Sequence, residues 1–189
     1  MENDNIKSIA FNLPTKKVKI IDDTNKEDKK NKKRVETVNW DFALEKYEYQ
    51  NQMNMIKSIK ENKYTYNDSI SKIAIQQINK KIYGYKQQDL IKKHYDETNF
   101  IHLQSIIDKM VSCELKCYYC SNEMNVLYDI SREMKQWSVD RIDNDLGHNL
   151  DNYYLACLEC NLKRRRRSDD KFLFTKQLKL VKIDDTEIS

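Results

Sequence analysis

Four cysteines stand in two C-x2-C pairs, Cys117/Cys120 and Cys157/Cys160, with 36 residues between the pairs. Each pair can put two thiolates on one metal, and two pairs complete a tetrahedral set of the kind that holds a closed, structural zinc. The residues between and just after the pairs offer different chemistry. Asp140, Asp143, His148, Asn152 and Asn161 supply carboxylate and amide oxygens and one imidazole. Oxygen donors suit hard dications such as Mg2+ or Mn2+, and an imidazole moves protons near neutral pH. Lys163, Arg164, Arg165, Arg166 and Arg167 then form an unbroken basic run beside the second pair. At that place the run points to a polyanion, with phosphate contacts as its use.

These residues need elements to position them. Residues 112–182 read as the chemical module, with Cys117 to Cys120 as a zinc-knuckle turn. Val126–Tyr128 and Trp137–Asp140 read as strands, Asp143–Asn149 as a polar loop around Gly147, and a helix starts near the second knuckle. Residues 169–182, with Phe172, Phe174, Leu178 and Leu180, form a packing segment that is either strand or helix. Residues 39–111 read as a helical scaffold. Trp40, Phe42, Leu44 and Tyr47 recur at helix spacing, with Asn39 or Asp41 as cap. Ile70, Ile73, Ile75, Ile78 and Ile82 repeat the pattern from near Asn67 or Ser69. Gly84 punctuates, and Tyr85–Tyr95 and Phe100–Met110 make two further short helices. His94 and His102 in this region read as ordinary packing or surface histidines. Cys113, the odd cysteine, reads as a small buried residue.

Residues 1–38 read as a charged tail, with a short strand near Val18–Ile21, and residues 183–189 as an acidic tail. The whole is α+β: a mostly helical N-terminal region followed by a zinc-stabilised module. The chain is 34% charged with net charge +4, 2 Gly and 1 Pro, which favours solvated helices over an all-β fold. Its basic residues cluster, Lys29–Arg34 as a solvated or nuclear-import run and Lys163–Arg167 as nucleic-acid contacts. No apolar run is long enough to span a bilayer, and the polar start Met1–Asn5 is unlike a secretory leader. Cysteines in metal spacing fit a reducing, intracellular compartment, cytoplasm or nucleus.

The wording Trp137-Ser-Val-Asp-Arg-Ile-Asp-Asn144, Gly147-His148-Asn149, Asp151-Asn152 and Cys157-Leu-Glu-Cys-Asn-Leu-Lys-Arg164 resembles the HNH endonucleases. It looks most like HNH proteins of large DNA viruses and phages. The resemblance covers about residues 113–168, under a third of the chain. It implies a ββα-metal fold around one catalytic Mg2+ or Mn2+, with a structural Zn2+ on Cys117, Cys120, Cys157 and Cys160. By the same resemblance Asp140 and Asn161 hold the catalytic metal and Asn152 orients the loop. DNA is the implied partner, in duplex, branched or single-stranded form.

Position 141 departs from the family pattern. The family's general-base histidine follows the metal-binding acid, and here that place is Arg141. Arginine keeps its proton at any working pH, so Arg141 can clamp phosphate or stabilise charge but cannot take a proton from water. Three readings stay open at this point. His148 supplies the base; water loses its proton to bulk solvent without a side chain; or catalysis is gone and a nucleic-acid-binding fold remains. A structural or interaction protein, working through residues 39–111, is a further alternative.

Overall fold

The computed structural model describes residues 32–40, 42–63 and 68–178. The expected strand near Val18–Ile21, the acidic tail and Leu180 lie outside the described residues. Among the described residues, five α-helices and one two-stranded antiparallel sheet form an α+β fold. No described helix is long and apolar enough to cross a membrane.

Helix α1 (Tyr49–Lys60) buries Met53, Ile56 and Ile59, one apolar stripe at helix spacing. Its buried polar residue, Gln52, explains a departure from expectation. The Gln52 Oε1 accepts hydrogen bonds from the backbone N–H groups of both Val126 and Leu127 at 2.8 Å. Val126 and Leu127 therefore satisfy their donors on a side chain, and residues 126–128 form no strand. The residues before α1 also differ: Leu44–Tyr47 is one turn of 3-10 helix, not part of an α-helix.

Helix α2 (Ser69–Lys92) runs for 24 residues, about 36 Å at 1.5 Å per residue. Asp68 caps it by accepting from the N–H groups of Ile70 and Ser71. Gly84 does not end the helix: a glycine costs only about 1 kcal/mol in a helix interior, and packing on both sides outweighs it. The termination comes instead at Lys93, which takes a left-handed conformation with φ 60°. The buried face of α2 runs Ser71, Ala74, Ile78 and then Asp89, so an apolar stripe ends in a fully buried carboxylate.

Helix α3 (Leu103–Ser112) opens with a reciprocal cap. His102 Nδ1 accepts from Ser105 N–H, and Ser105 Oγ accepts from His102 N–H. His102 is thus a capping residue. Ile106, Ile107 and Met110 of α3 join Ile56 of α1, Ile78 of α2 and Trp137 in one core.

Strands β1 (Trp137–Arg141) and β2 (Tyr153–Cys157) pair antiparallel, with Trp137 opposite Cys157 and Arg141 opposite Tyr153. Helix α4 (Leu158–Arg164) follows β2 at once, and α5 (Asp169–Gln177) follows α4. The packing segment is therefore a helix, and its Phe172 is buried edge-on against Tyr119 at 4.9 Å.

Residues 32–38, expected as part of the tail, dock. Arg34 N–H donates to Asp129 O, its guanidinium to Tyr128 O and Gln77 Oε1, and Thr37 is buried. The end of the first basic run is thus committed to the fold.

Candidate functional site

The Sγ atoms of Cys117, Cys120, Cys157 and Cys160 all lie within 4.8 Å of one another, and three of the four residues are buried. A tetrahedral zinc with Zn–S bonds of about 2.3 Å needs sulfurs roughly 3.8 Å apart; Cys120 and Cys157 stand at 3.9 Å. The donor set fits a structural zinc. Hydrogen bonds from Cys157 and Cys160 draw the Cys117 thiol down to about 2, and the same bond to Cys117 pushes Cys157 up to about 12 and Cys160 upward too. A dication bound by all four sulfurs would favour their thiolate form. Cys113 stays outside the cluster, and burial raises its thiol.

Beside the cluster, a cavity of about 370 Å3 opens between α2, β1 and α4. Asp140, Arg141, His148, Asn161 and Arg165 all line it, with Tyr85 from α2. Residues distant in sequence thus meet at one place.

His148 is buried, and its ring stacks on Tyr85 with centroids 4.6 Å apart. Asp89 Oδ1 is 2.7 Å from His148 Nδ1, and Asp89 Oδ2 accepts from the His148 backbone N–H at 2.7 Å. Burial lowers the imidazole below its ordinary value. Asp89 opposes this, and the charges of Arg141 and Lys92 add to it. Burial thus favours the neutral ring, the form that can accept a proton.

Asn161 donates through Nδ2 to Ser138 Oγ and Val139 O, both at 3.1 Å. That fixes the amide and leaves Oδ1 as the atom without a hydrogen bond among the described residues. Asp140 is more committed. Tyr119 OH donates to Oδ2 at 2.6 Å and Arg164 Nη1 to Oδ1 at 2.9 Å. Burial raises the Asp140 carboxyl, against the pull of Tyr119 and Arg164. A carboxylate oxygen has two lone pairs, so each Asp140 oxygen keeps one after these bonds. Asn161 Oδ1 and the remaining Asp140 lone pairs are oxygen donors of the kind Mg2+ or Mn2+ takes.

The loop between the strands is held by two side chains. Asn152 accepts from Asp143 N–H at 2.8 Å and donates to Asp143 O and Gly147 O. Arg141 donates to Asn144 O and Leu146 O. Asp143 accepts from Asp145 N–H and so caps the loop. Gly147 is required by close approach: a Cβ there would sit 2.3 Å from His94 O and 3.0 Å from Asp89 Oδ2. Gly147→Ala is expected to lose about 1–3 kcal/mol in chemical denaturation as α2 and the loop are pushed apart. Unchanged stability would show that the loop can yield there.

Comparison with family models, curated proteins and solved structures finds no match for this chain. The site rests on its own geometry.

The basic run divides into separate roles. Helix α4 ends at Arg164, so the run does not continue along one helix. Arg164 is a correction to the expected phosphate-binding set: it is 1% exposed, and its guanidinium bonds Asp140, Arg141 O and Ile142 O. A guanidinium so enclosed does not reach solvent phosphate. Lys163 pairs with Glu159 one turn back. Arg166 and Arg167 line a second cleft together with Asp143, Asp145 and Asp169, and Arg167 covers the Phe172 ring. Arg165 is exposed, lines the His148 cavity, and its side chain has no partner among the described residues.

Arg165 also sits at φ 54°, ψ −116°, a conformation that costs a non-glycine residue about 1–3 kcal/mol. Arg165→Gly should accordingly be about 1 kcal/mol more stable than Arg165→Ala in urea unfolding. Equal stability of the two would remove the strain argument.

Sequence reading missed Asp89, Tyr85, Tyr119 and the inward role of Arg164. Asp89 carried one faint signal, an acid falling in phase with the apolar face of a helix.

Proposed function

We propose that this protein is a metal-dependent DNA endonuclease of HNH type, hydrolysing phosphodiester bonds at the cavity between α2, β1 and α4. One observation carries the reading: His148, Asn161, Asp140 and Arg141 line one cavity beside a four-cysteine cluster, with His148 tethered through Nδ1. On this reading β1, β2 and α4 are the ββα-metal core and zinc is structural, joining the turn at Cys117–Cys120 to the start of α4.

His148 accepts the proton of the attacking water through Nε2, the task that Arg141 cannot perform. Arg141 instead braces the loop that carries His148, and its positive charge helps keep the ring neutral. Asn161 and Asp140 would hold Mg2+ or Mn2+, which when bound offsets the charge that grows on the phosphate and leaving oxygen. Asn152 orders the loop, and Arg165 offers a free guanidinium to a phosphate next to the scissile one. The remaining basic residues contribute sequence-tolerant, salt-dependent attraction to DNA.

The alternative is a noncatalytic, zinc-stabilised nucleic-acid-binding protein. The pairing of both Asp140 oxygens with Tyr119 and Arg164 favours it, because a dication there shares its carboxylate with a buried cation. Incubation of supercoiled plasmid with the zinc-loaded protein and Mg2+ or Mn2+ separates the two. Nicked circles that disappear with added chelator for those ions support the nuclease. Salt-sensitive binding with no nicking of duplex, branched or single-stranded DNA selects the binder.

A further inference from the structure

The scaffold helix α2 reaches the cavity with two side chains four residues apart, Tyr85 and Asp89, and both touch His148. Asp89 is fully buried, and among the described residues no lysine or arginine pairs with it. Its two oxygens face two atoms of the same residue, the backbone N and ring Nδ1 of His148, each at 2.7 Å. An ionised carboxylate only accepts hydrogen bonds. The backbone nitrogen necessarily donates, so Nδ1 must carry a proton as well. The neutral ring then has its lone pair on Nε2. That atom has no hydrogen-bond partner among the described residues, in a residue that lines the cavity.

Tyr85 completes the constraint. Its ring stacks at 27° on the imidazole, and its hydroxyl accepts from Val139 N–H at 3.0 Å. The imidazole is thereby held against β1, the strand that carries Asp140. Gly147 permits the approach, since any Cβ there would press on Asp89 and on His94 O.

We propose that Asp89, assisted by Tyr85, is a positioning residue that fixes His148 as the Nδ1–H tautomer and aims Nε2 into the cavity. The proposal rests on the nuclease reading for its purpose and on the Asp89–His148 geometry for its content. It gives the helical region a part in the chemistry: α2 sets which ring nitrogen is basic.

The experiment uses full-length, zinc-loaded protein with 15N-labelled histidine. Long-range 1H–15N spectra report which ring nitrogen of His148 is protonated, without DNA and without added Mg2+ or Mn2+. Wild type is expected to show Nδ1–H. In Asp89→Asn the single amide oxygen accepts from the backbone N–H, so the NH2 group faces Nδ1 and forces the Nε2–H tautomer. Cleavage by that variant is expected to fall roughly 100-fold or more, with DNA affinity unchanged. A wild-type ring protonated on Nε2 overturns the proposal even if the variant fails to fold. So does a folded Asp89→Asn protein whose tautomer is unchanged. If the tautomers behave as expected but wild type cuts no DNA, the positioning role stands and the nuclease reading falls.

Discussion

Cys157→Ala is expected to lose zinc and to unfold the part of the chain that carries the cavity. A zinc held by the four cysteines would tie together three separate elements. Cys117 and Cys120 sit in a turn, Cys157 ends β2, and Cys160 lies in α4. The sheet they anchor has only two strands, and a two-stranded sheet is marginal without further support. Structural zinc contributes apparent binding energies of about 10–16 kcal/mol in small metal-folded units. That equals or exceeds the roughly 5–15 kcal/mol net stability of a typical domain. Loss of one thiolate therefore removes a large share of what holds β1, β2 and α4. Trp137 pairs directly with Cys157 and is fully buried, so its fluorescence should shift to the red as the unit opens. Metal analysis should find less than one zinc per chain. One zinc per chain together with unchanged Trp137 emission would sink the four-cysteine site.

The second large effect concerns His148. Truncation to alanine would leave Asp89 buried without its Nδ1 donor, at a cost of about 1–3 kcal/mol. His148→Asn is the better probe, because its amide NH2 can still face Asp89 while no basic nitrogen remains. Cleavage by His148→Asn is expected to fall about 100-fold to 10,000-fold, the range for loss of a general base, with zinc and fold retained. The pH dependence follows from the lowered His148 value. The ring must be neutral to accept a proton, so the wild-type rate is expected to hold at neutral pH and to fall as pH drops below the usual imidazole range. That acid limb should vanish in His148→Asn. An acid limb that persists unchanged in the variant would assign it to another group.

The sequence was most readable where chemistry imposes spacing. The two C-x2-C pairs announce a four-sulfur cluster, because one tetrahedral metal needs its ligands in a tight turn and a second turn that faces it. Strand β1 was legible from Trp137 to Asp140, and α4 from its start near the second pair. The cavity residues Asp140, Arg141, His148 and Asn161 came from a motif that spans few residues, and they do meet. What was not legible depends on partners far along the chain. Val126 and Leu127 have strand-like side chains, yet their N–H groups bond Gln52, 74 and 75 residues earlier. Arg164 looked like one of five equivalent cations. Only the end of α4 and the strained turn at Arg165 decide that it points inward to Asp140 while Arg165 points to the cavity. Asp89 could not be linked to His148 from sequence, since 59 residues separate them.

The pairing of Arg164 with Asp140 also decides how the site should be tested. Removing one member of a buried ion pair commonly costs about 3–5 kcal/mol, because the other is left charged and unpaired. Loss of cleavage in Asp140→Ala would therefore mix catalysis with unfolding. His148→Asn and Asn161→Ala leave that pair intact.

The most direct measurement is single-turnover cleavage of plasmid DNA in Mn2+ or Mg2+ by wild type, His148→Asn and Asn161→Ala, each confirmed to hold zinc. The account predicts cleavage by wild type, a loss of about 100-fold or more in His148→Asn, and a comparable loss in Asn161→Ala that higher metal concentration partly restores. Cleavage at the wild-type rate in both folded variants would contradict it, and the cavity would then not be where the bond breaks.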